Sequence, residues 1–139
     1  MTPRSFSPIS FPPLFFGALN GNIRPGDTVA IFGCGPVGLC AVICAKLFGP
    51  AEVIAVDSIP YRLELARKLG ATPVNHESGS ALRAIVELTD GRGADVTIEA
   101  VGNESALTAA IMSARGGGTA VSYTHLDVYK RQSSNSPAS

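Results

Sequence analysis

The feature that most constrains this chain is a short glycine loop set between two different periodicities. Gly33-Cys34-Gly35-Pro36-Val37-Gly38 follows Thr28-Val29-Ala30-Ile31-Phe32, a continuous apolar run of the kind shown by a strand covered on both faces. Val37 to Phe48 then reads as a helix, ended by Gly49 and Pro50. A G-x-G-x-x-G pattern is weak alone, because glycine loops are common in turns. Here it has a strand before it, a helix after it and an acid, Asp57, about 20 residues on. Gly33 permits the tight turn, Gly35 has no side chain to hold off a pyrophosphate, and Gly38 lets the helix lie close to the sheet. The helix N-terminus offers free N–H groups and partial positive charge to phosphates. Pro36 falls in the first turn, where its missing N–H is tolerated.

The chain beyond the loop keeps alternating. Glu52 to Val56 reads as a second strand ending in Asp57. Pro60 to Leu69 reads as a helix with Leu63, Ala66 and Leu69 inward, stopped by Gly70. Pro73-Val74-Asn75 is a short third strand, and Ser80 can cap a helix to about Thr89, with Leu82, Ile85, Val86 and Leu88 as its apolar positions. Asp95 to Val101 is the fourth strand. Asn103 can cap a fourth helix running to about Ala114, stopped by Gly116-Gly117-Gly118, and Thr119 to Ser122 starts a fifth strand. Strands alternating with helices predict an α/β fold: a doubly wound parallel sheet of the Rossmann type, truncated after the fifth strand. The expected dinucleotide-binding domain is 17–122. Residues 1–16, with four prolines and four phenylalanines, read as an irregular remnant of a preceding domain or as foreign; 123–139 read as a disordered, non-native tail.

Composition removes several function classes. The 139 residues suffice for one domain, and 11 Lys+Arg against 11 Asp+Glu imply no nucleic-acid partner. No apolar run of about 20 residues exists to span a membrane. Cys34, Cys40 and Cys44 are odd in number and clustered, a poor disulfide framework, which suits a reduced, cytoplasmic setting. Cys40 and Cys44 share one helix face but lack two further zinc ligands nearby. His76, at a strand end, reads as a surface histidine before an adenine contact; Glu99 could face the crevice, and reads more readily as a strand-end residue meeting water or backbone. His125 and Asp127 lack a third member for acid–base chemistry, and Ser-His-Asp, HExxH and CxxC arrangements are missing. No residue of this chain is therefore assigned as catalytic or as a metal ligand.

Asp57 bears on the cofactor. A carboxylate there can accept hydrogen bonds from both hydroxyls of an adenosine ribose and would repel the extra 2′-phosphate of NADP, so NAD is expected over NADP. Ser58 and Arg62 argue the other way, since a nearby guanidinium can pair with phosphate.

Three stretches together carry a family resemblance. Ile23-Arg24-Pro25-Gly26-Asp27-Thr28 running through Gly33-Cys34-Gly35-Pro36-Val37-Gly38-Leu39 is the first. Val53-Ile54-Ala55-Val56-Asp57, with Arg62-Leu63-Glu64-Leu65-Ala66 and Leu69-Gly70-Ala71, is the second. Gly91-Arg92-Gly93-Ala94-Asp95-Val96 with Ile98-Glu99-Ala100-Val101-Gly102 is the third. Over about residues 17–122 they resemble the cofactor domain of the medium-chain, zinc-containing alcohol dehydrogenases. The resemblance implies that Gly33–Gly38 hold the pyrophosphate, that Val37 packs near the nicotinamide, and that Asp57 takes the ribose with Arg62 beside it. It also implies that Ala100, Val101 and Gly102 line the adenosine and nicotinamide-ribose side. For the parent enzyme it implies a small alcohol or carbonyl substrate, hydride transfer to nicotinamide, a catalytic zinc and a homo-oligomer. The chain departs from the pattern at both ends. Pro8 to Pro13 carry no Cys, His, Asp or Glu where the family places a zinc ligand. Tyr123 to Gln132 resembles a string that recurs where conceptual translations cross an adaptor. The expected reading is thus an enzyme fragment, inactive alone. Two others stay open: a stand-alone non-catalytic dinucleotide module, and part of a zinc-independent quinone reductase-like NADPH enzyme.

Overall fold

The apolar runs are strands because both faces of each are buried. In a computed structural model, which describes residues 22–123 and 127–132, β1 (Thr28–Phe32) sends Val29 and Ile31 to one face of a sheet and Ala30 and Phe32 to the other. β2 (Glu52–Asp57) does the same with Val53 and Ala55 against Ile54 and Val56. Expectations that fall on residues 1–21, on His125 and on 133–139 lie outside the described residues.

The other elements follow in chain order: α1 (Pro36–Lys46) before β2, then α2 (Pro60–Lys68), β3 (Thr72–Asn75), α3 (Ala81–Leu88), β4 (Ala94–Glu99), α4 (Glu104–Ser113), β5 (Ala114–Ser122) and β6 (Asp127–Lys130). The sheet order is β3-β2-β1-β4-β5-β6, with β1 to β5 parallel. One core lies under α1 and α2, where Ala41, Val42, Ala45, Leu63 and Ala66 meet Val29, Ile31 and Val53. The other lies under α3 and α4, where Ile85 and Ala110 meet Ala30, Phe32 and Ile54. This is the doubly wound arrangement expected. Chain order reverses at β1, which has β2 on one side and β4 on the other, and such a switch point opens a crevice at the strands' carboxyl ends.

Both predicted caps form: Ser80 Oγ accepts from the Arg83 N–H at 3.2 Å, and Asn103 Oδ1 from the Ala106 N–H at 2.7 Å. Four details differ from the sequence reading. Leu69 is the C-cap of α2 and 37% exposed, so the inner stripe is Leu63 and Ala66 alone. Leu88, on α3, is exposed as well. The three glycines do not stop α4. Its backbone turns extended at Ala114, and Gly116–Gly118 lie inside β5, where the pairing with β4 slips between Ala94 and Val96. A Cβ on Gly118 would sit 2.9 Å from the Asp95 carbonyl oxygen, which explains a glycine there.

The fourth difference concerns the end of the sheet, which does not stop at β5. β6 pairs antiparallel with it, Val121 opposite Val128 and Thr119 opposite Lys130. Lys130 Nζ donates to Thr119 Oγ1 at 3.1 Å, and the Arg131 N–H to the Gly118 carbonyl at 3.0 Å. The Arg131 guanidinium donates to the carbonyls of Ile111 and Met112 in the last turn of α4, where the Ala114 N–H also meets the Ile111 carbonyl. From sequence, 123–139 read as a disordered, non-native tail; the structure instead pairs Asp127–Lys130 into the sheet through backbone hydrogen bonds.

Candidate functional site

At the carboxyl ends of β1, β2 and β4 lies a cleft of about 860 Å³. Its floor is the turn from β1 into α1. Gly33 has φ +110°, open to glycine and strained for other residues, and its N–H donates to the Val56 carbonyl at 2.8 Å. The turn closes so tightly that a Cβ on Gly38 would lie 1.7 Å from the Gly33 carbonyl oxygen. Gly35 is the N-cap of α1, and no side chain caps that helix end. Pro36 occupies the first turn, as expected. The N–H groups of the first turn are those a helix cannot satisfy internally. Together with the helix dipole they form a site for an anion.

Asp57, at the end of β2, is 9% exposed and does more than the sequence suggested. Its Oδ2 accepts from the Cys34 N–H at 2.7 Å, and its Oδ1 from the N–H groups of Ser58 at 2.6 Å and Ile59 at 3.0 Å. Arg62 Nη1 stands 3.8 Å from Oδ2. Burial by itself would raise the Asp57 pKa; the Cys34, Ile59 and Ser58 N–H groups and the Arg62 charge outweigh it and hold the carboxyl below its usual range. The carboxylate therefore ties the glycine loop to β2 and keeps its charge at neutral pH. Cys34 shows the opposite effect. Burial first, then the Asp57 charge, with Arg62 opposing, push its thiol up to about 12, so it is no nucleophile.

The far wall follows β4. That strand ends at Glu99 and not, as expected, at Val101. Glu99 is 1% exposed and turns back on the chain after it: its carboxylate accepts from the Val101 N–H at 2.8 Å, from the Gly102 N–H and from Ser122 Oγ at 3.0 Å. Of the two roles considered for Glu99, the backbone one holds. The Ala100 N–H donates to the Phe32 carbonyl at 2.8 Å, and Val101 Cγ2 would be 2.9 Å from a Cβ on Gly33.

The cleft gathers Gly33, Gly35, Asp57, Ser58, Arg62, Ala100 and Val101. Pro36, Val37, Gly38 and Gly102 do not line it: Gly38 is buried under the turn, and Val37 packs partly on the α1 core. His76 is exposed, as the sequence favoured, and it also lines the cleft wall. Ile59, Ser80, Asn103 and Met112 also line it and were not foreseen as site residues. Ser80 and Asn103 were visible only as helix caps, although a cap that follows a strand necessarily borders the carboxyl edge of the sheet.

The pH dependence of stability follows from two aspartates. Asp95, at the opposite end of β4, accepts from the Thr28 N–H at 2.8 Å and from Arg115 Nε at 2.6 Å. Burial opposes its ionisation, but the Thr28 N–H, Arg115 and Arg92 outweigh it, so its pKa too is lowered. Groups with depressed folded-state values stabilise the fold above their unfolded pKa. They lose that contribution as pH falls through the folded one. The melting temperature is expected to be level near neutrality and to fall steeply below about pH 4. Circular dichroism melts across that range check this; a flat profile down to about pH 2 contradicts it.

A family model described as zinc-binding dehydrogenase matches residues 36–135. The chain belongs to the zinc-binding dehydrogenase family. An alcohol dehydrogenase of Cupriavidus necator (strain H16) is 45% identical over 106 residues, which are 76% of this chain and 29% of the relative. A sorbitol dehydrogenase of Bacillus subtilis (strain 168) is 47% identical over 102 residues, 73% of this chain and 29% of the relative. Among solved structures, alcohol dehydrogenase TADH from Thermus sp. ATN1 superposes with a TM-score of 0.75 at 41% identity, covering 79% of this chain and 33% of that one. The chain thus spans about 29% of the length of these curated relatives. The family name implies a metal. Among the described residues no three His, Cys, Asp or Glu side chains converge, so these residues do not fit a zinc centre. They do fit a dinucleotide, through a turn that closes only around glycine and a bare helix N-terminus beside the cleft. Among the described residues no helix is long and apolar enough to cross a membrane.

Proposed function

We propose that this chain holds NAD in the cleft at the β1–β4 switch point, as the cofactor-binding part of an alcohol dehydrogenase-like oxidoreductase. The observation that carries the reading is the turn from Gly33 to Gly38, pinned from below by Asp57 and too tight for any side chain at Gly38. The uncapped N-terminus of α1 offers its partial positive charge to the pyrophosphate, and Gly35, which lines the cleft, leaves room for it. Asp57 has spent three hydrogen bonds on backbone and keeps lone-pair capacity on Oδ2 for a ribose hydroxyl, with Ser58 and Arg62 beside it. Ala100 and Val101 form the opposite wall, toward the nicotinamide ribose. The nicotinamide, when bound, supplies the hydride acceptor or donor for an alcohol–carbonyl pair in the whole enzyme. Residues of this chain bind and orient the cofactor; none of the described ones is assigned proton transfer.

The charge at Asp57 sets the choice of dinucleotide. An ionised carboxylate at the ribose opposes a 2′-phosphate, and Arg62, at 3.8 Å and half-exposed, offsets that only in part. NADH is expected to bind about tenfold more tightly than NADPH, a difference of about 1.4 kcal/mol. Parallel fluorescence titrations of the chain with the two reduced cofactors measure it. Binding of neither at millimolar concentration, with the fold confirmed by circular dichroism, would falsify the dinucleotide reading; tighter NADPH binding would overturn the NAD assignment alone.

A further inference from the structure

Glu99 is the one fully buried acid among the described residues, and the cofactor reading gives it no task. Its three hydrogen bonds form a pattern. Two go to consecutive N–H groups just past the end of β4, at Val101 and Gly102, and the third comes from Ser122 at the end of β5. The backbone around it is held too, because the Tyr123 N–H donates to the Glu99 carbonyl at 2.9 Å. Gly102, with φ +98°, is where the chain turns away toward α4. The loop so gripped is the cleft wall that faces the glycine turn, with Val101 packed against Gly33. Asp57 grips the same turn from the β2 side through the Cys34 N–H. The glycine turn therefore lies between two buried carboxylates, one on each neighbouring strand, and each holds backbone and not solvent.

We infer that Glu99 is a positioning residue for the dinucleotide site: it acts as an acceptor clamp that sets the 100–102 loop at a fixed distance from the Gly33 turn. This inference rests on the dinucleotide reading above. What matters in such a clamp is reach and acceptor capacity, and charge is secondary. A glutamine can keep both functions. Its amide oxygen can accept from Val101 and Gly102 while its NH2 donates to the Ser122 hydroxyl oxygen. An aspartate keeps the charge and falls short by one methylene, leaving the two N–H groups without their partner in a buried place.

The test titrates NADH into the whole chain and its variants at a temperature where each is folded by circular dichroism. The unaltered chain comes first, since its failure to bind would defeat the dinucleotide reading and not this inference. With binding established, Glu99→Gln is expected to stay within about threefold of the unaltered chain, and Glu99→Asp to weaken binding at least about tenfold. Equal binding by both variants overturns the clamp. So does the reverse order, with Glu99→Gln weak and Glu99→Asp unaffected, which would make the charge the operative feature. Should Glu99→Asp not fold, Ser122→Ala decides: it frees one arm of the clamp, and NADH binding unchanged from the unaltered chain overturns the inference.

Discussion

Replacing Gly38 with alanine is expected to cost the domain most of its stability. The added methyl would be placed 1.7 Å from the Gly33 carbonyl oxygen and 2.6 Å from its carbonyl carbon, and both are backbone atoms. No rotamer relieves such an overlap. The Gly33 N–H is bonded to β2, and the loop is held again at Cys34 by Asp57, so the turn cannot move away without breaking both ties. Overpacking usually costs about 1–3 kcal/mol, and a clash with fixed backbone belongs at the upper end or beyond it. Domains have only about 5–15 kcal/mol in total. Gly38→Ala should therefore lower the denaturant midpoint sharply or prevent folding, as read by urea unfolding. A melting curve like that of the unaltered chain would mean that the turn is looser than its geometry shows.

Gly35→Val should do the reverse, leaving the fold and removing the binding. Gly35 has φ −73° and ψ −169°, a backbone conformation open to any residue. A Cβ there meets only the Arg62 guanidinium, at 3.8 Å, an ordinary contact with the end of a flexible side chain. The isopropyl group would instead fill the space where the pyrophosphate is proposed to approach the α1 N-terminus. Melting is expected to shift by less than about 0.5 kcal/mol equivalent, as at other unobstructed surface sites. NADH affinity is expected to fall by about 100-fold or more, a loss of about 2.7 kcal/mol. The two glycines belong to one motif and yet separate cleanly: Gly38 answers to the fold and Gly35 to the ligand.

That separation marks how far the sequence could be read. The strands and helices were legible because burial on both faces writes itself as continuous apolar runs, as in Val29–Phe32, and because Ser80 and Asn103 announce helix starts. The turn was legible because glycine at three spaced positions has few other causes. The roles of the two carboxylates were not. Asp57 could be placed at the end of β2, but nothing in sequence tells that it binds the Cys34, Ser58 and Ile59 N–H groups before any ribose. One consequence is practical. Asp57→Asn must turn an NH2 toward at least one of those N–H donors, so its effect on binding would mix with damage to the loop. Glu99 lay inside a predicted strand that its own side chain in fact ends. β6 escaped because Tyr123 to Gln132 reads as a foreign tail, whereas its pairing to β5 depends on backbone partners and the Lys130–Thr119 contact, which only the structure shows. Gly116–Gly118 misled for a related reason: glycine after a helix usually signals a stop, and here it serves a slipped register between β4 and β5.

The central claim, that a dinucleotide occupies the cleft at the carboxyl edge of the sheet, can be tested residue by residue. Adding NADH to the ¹⁵N-labelled chain and following its amide resonances tests it most directly. The account predicts shifts concentrated at Gly33–Gly38, at Asp57–Ile59 and at Ala100–Gly102, and little change at Asp95, Arg115 and Gly118 at the opposite end of the sheet. No shifts at millimolar NADH, or shifts confined to that opposite end, would contradict it.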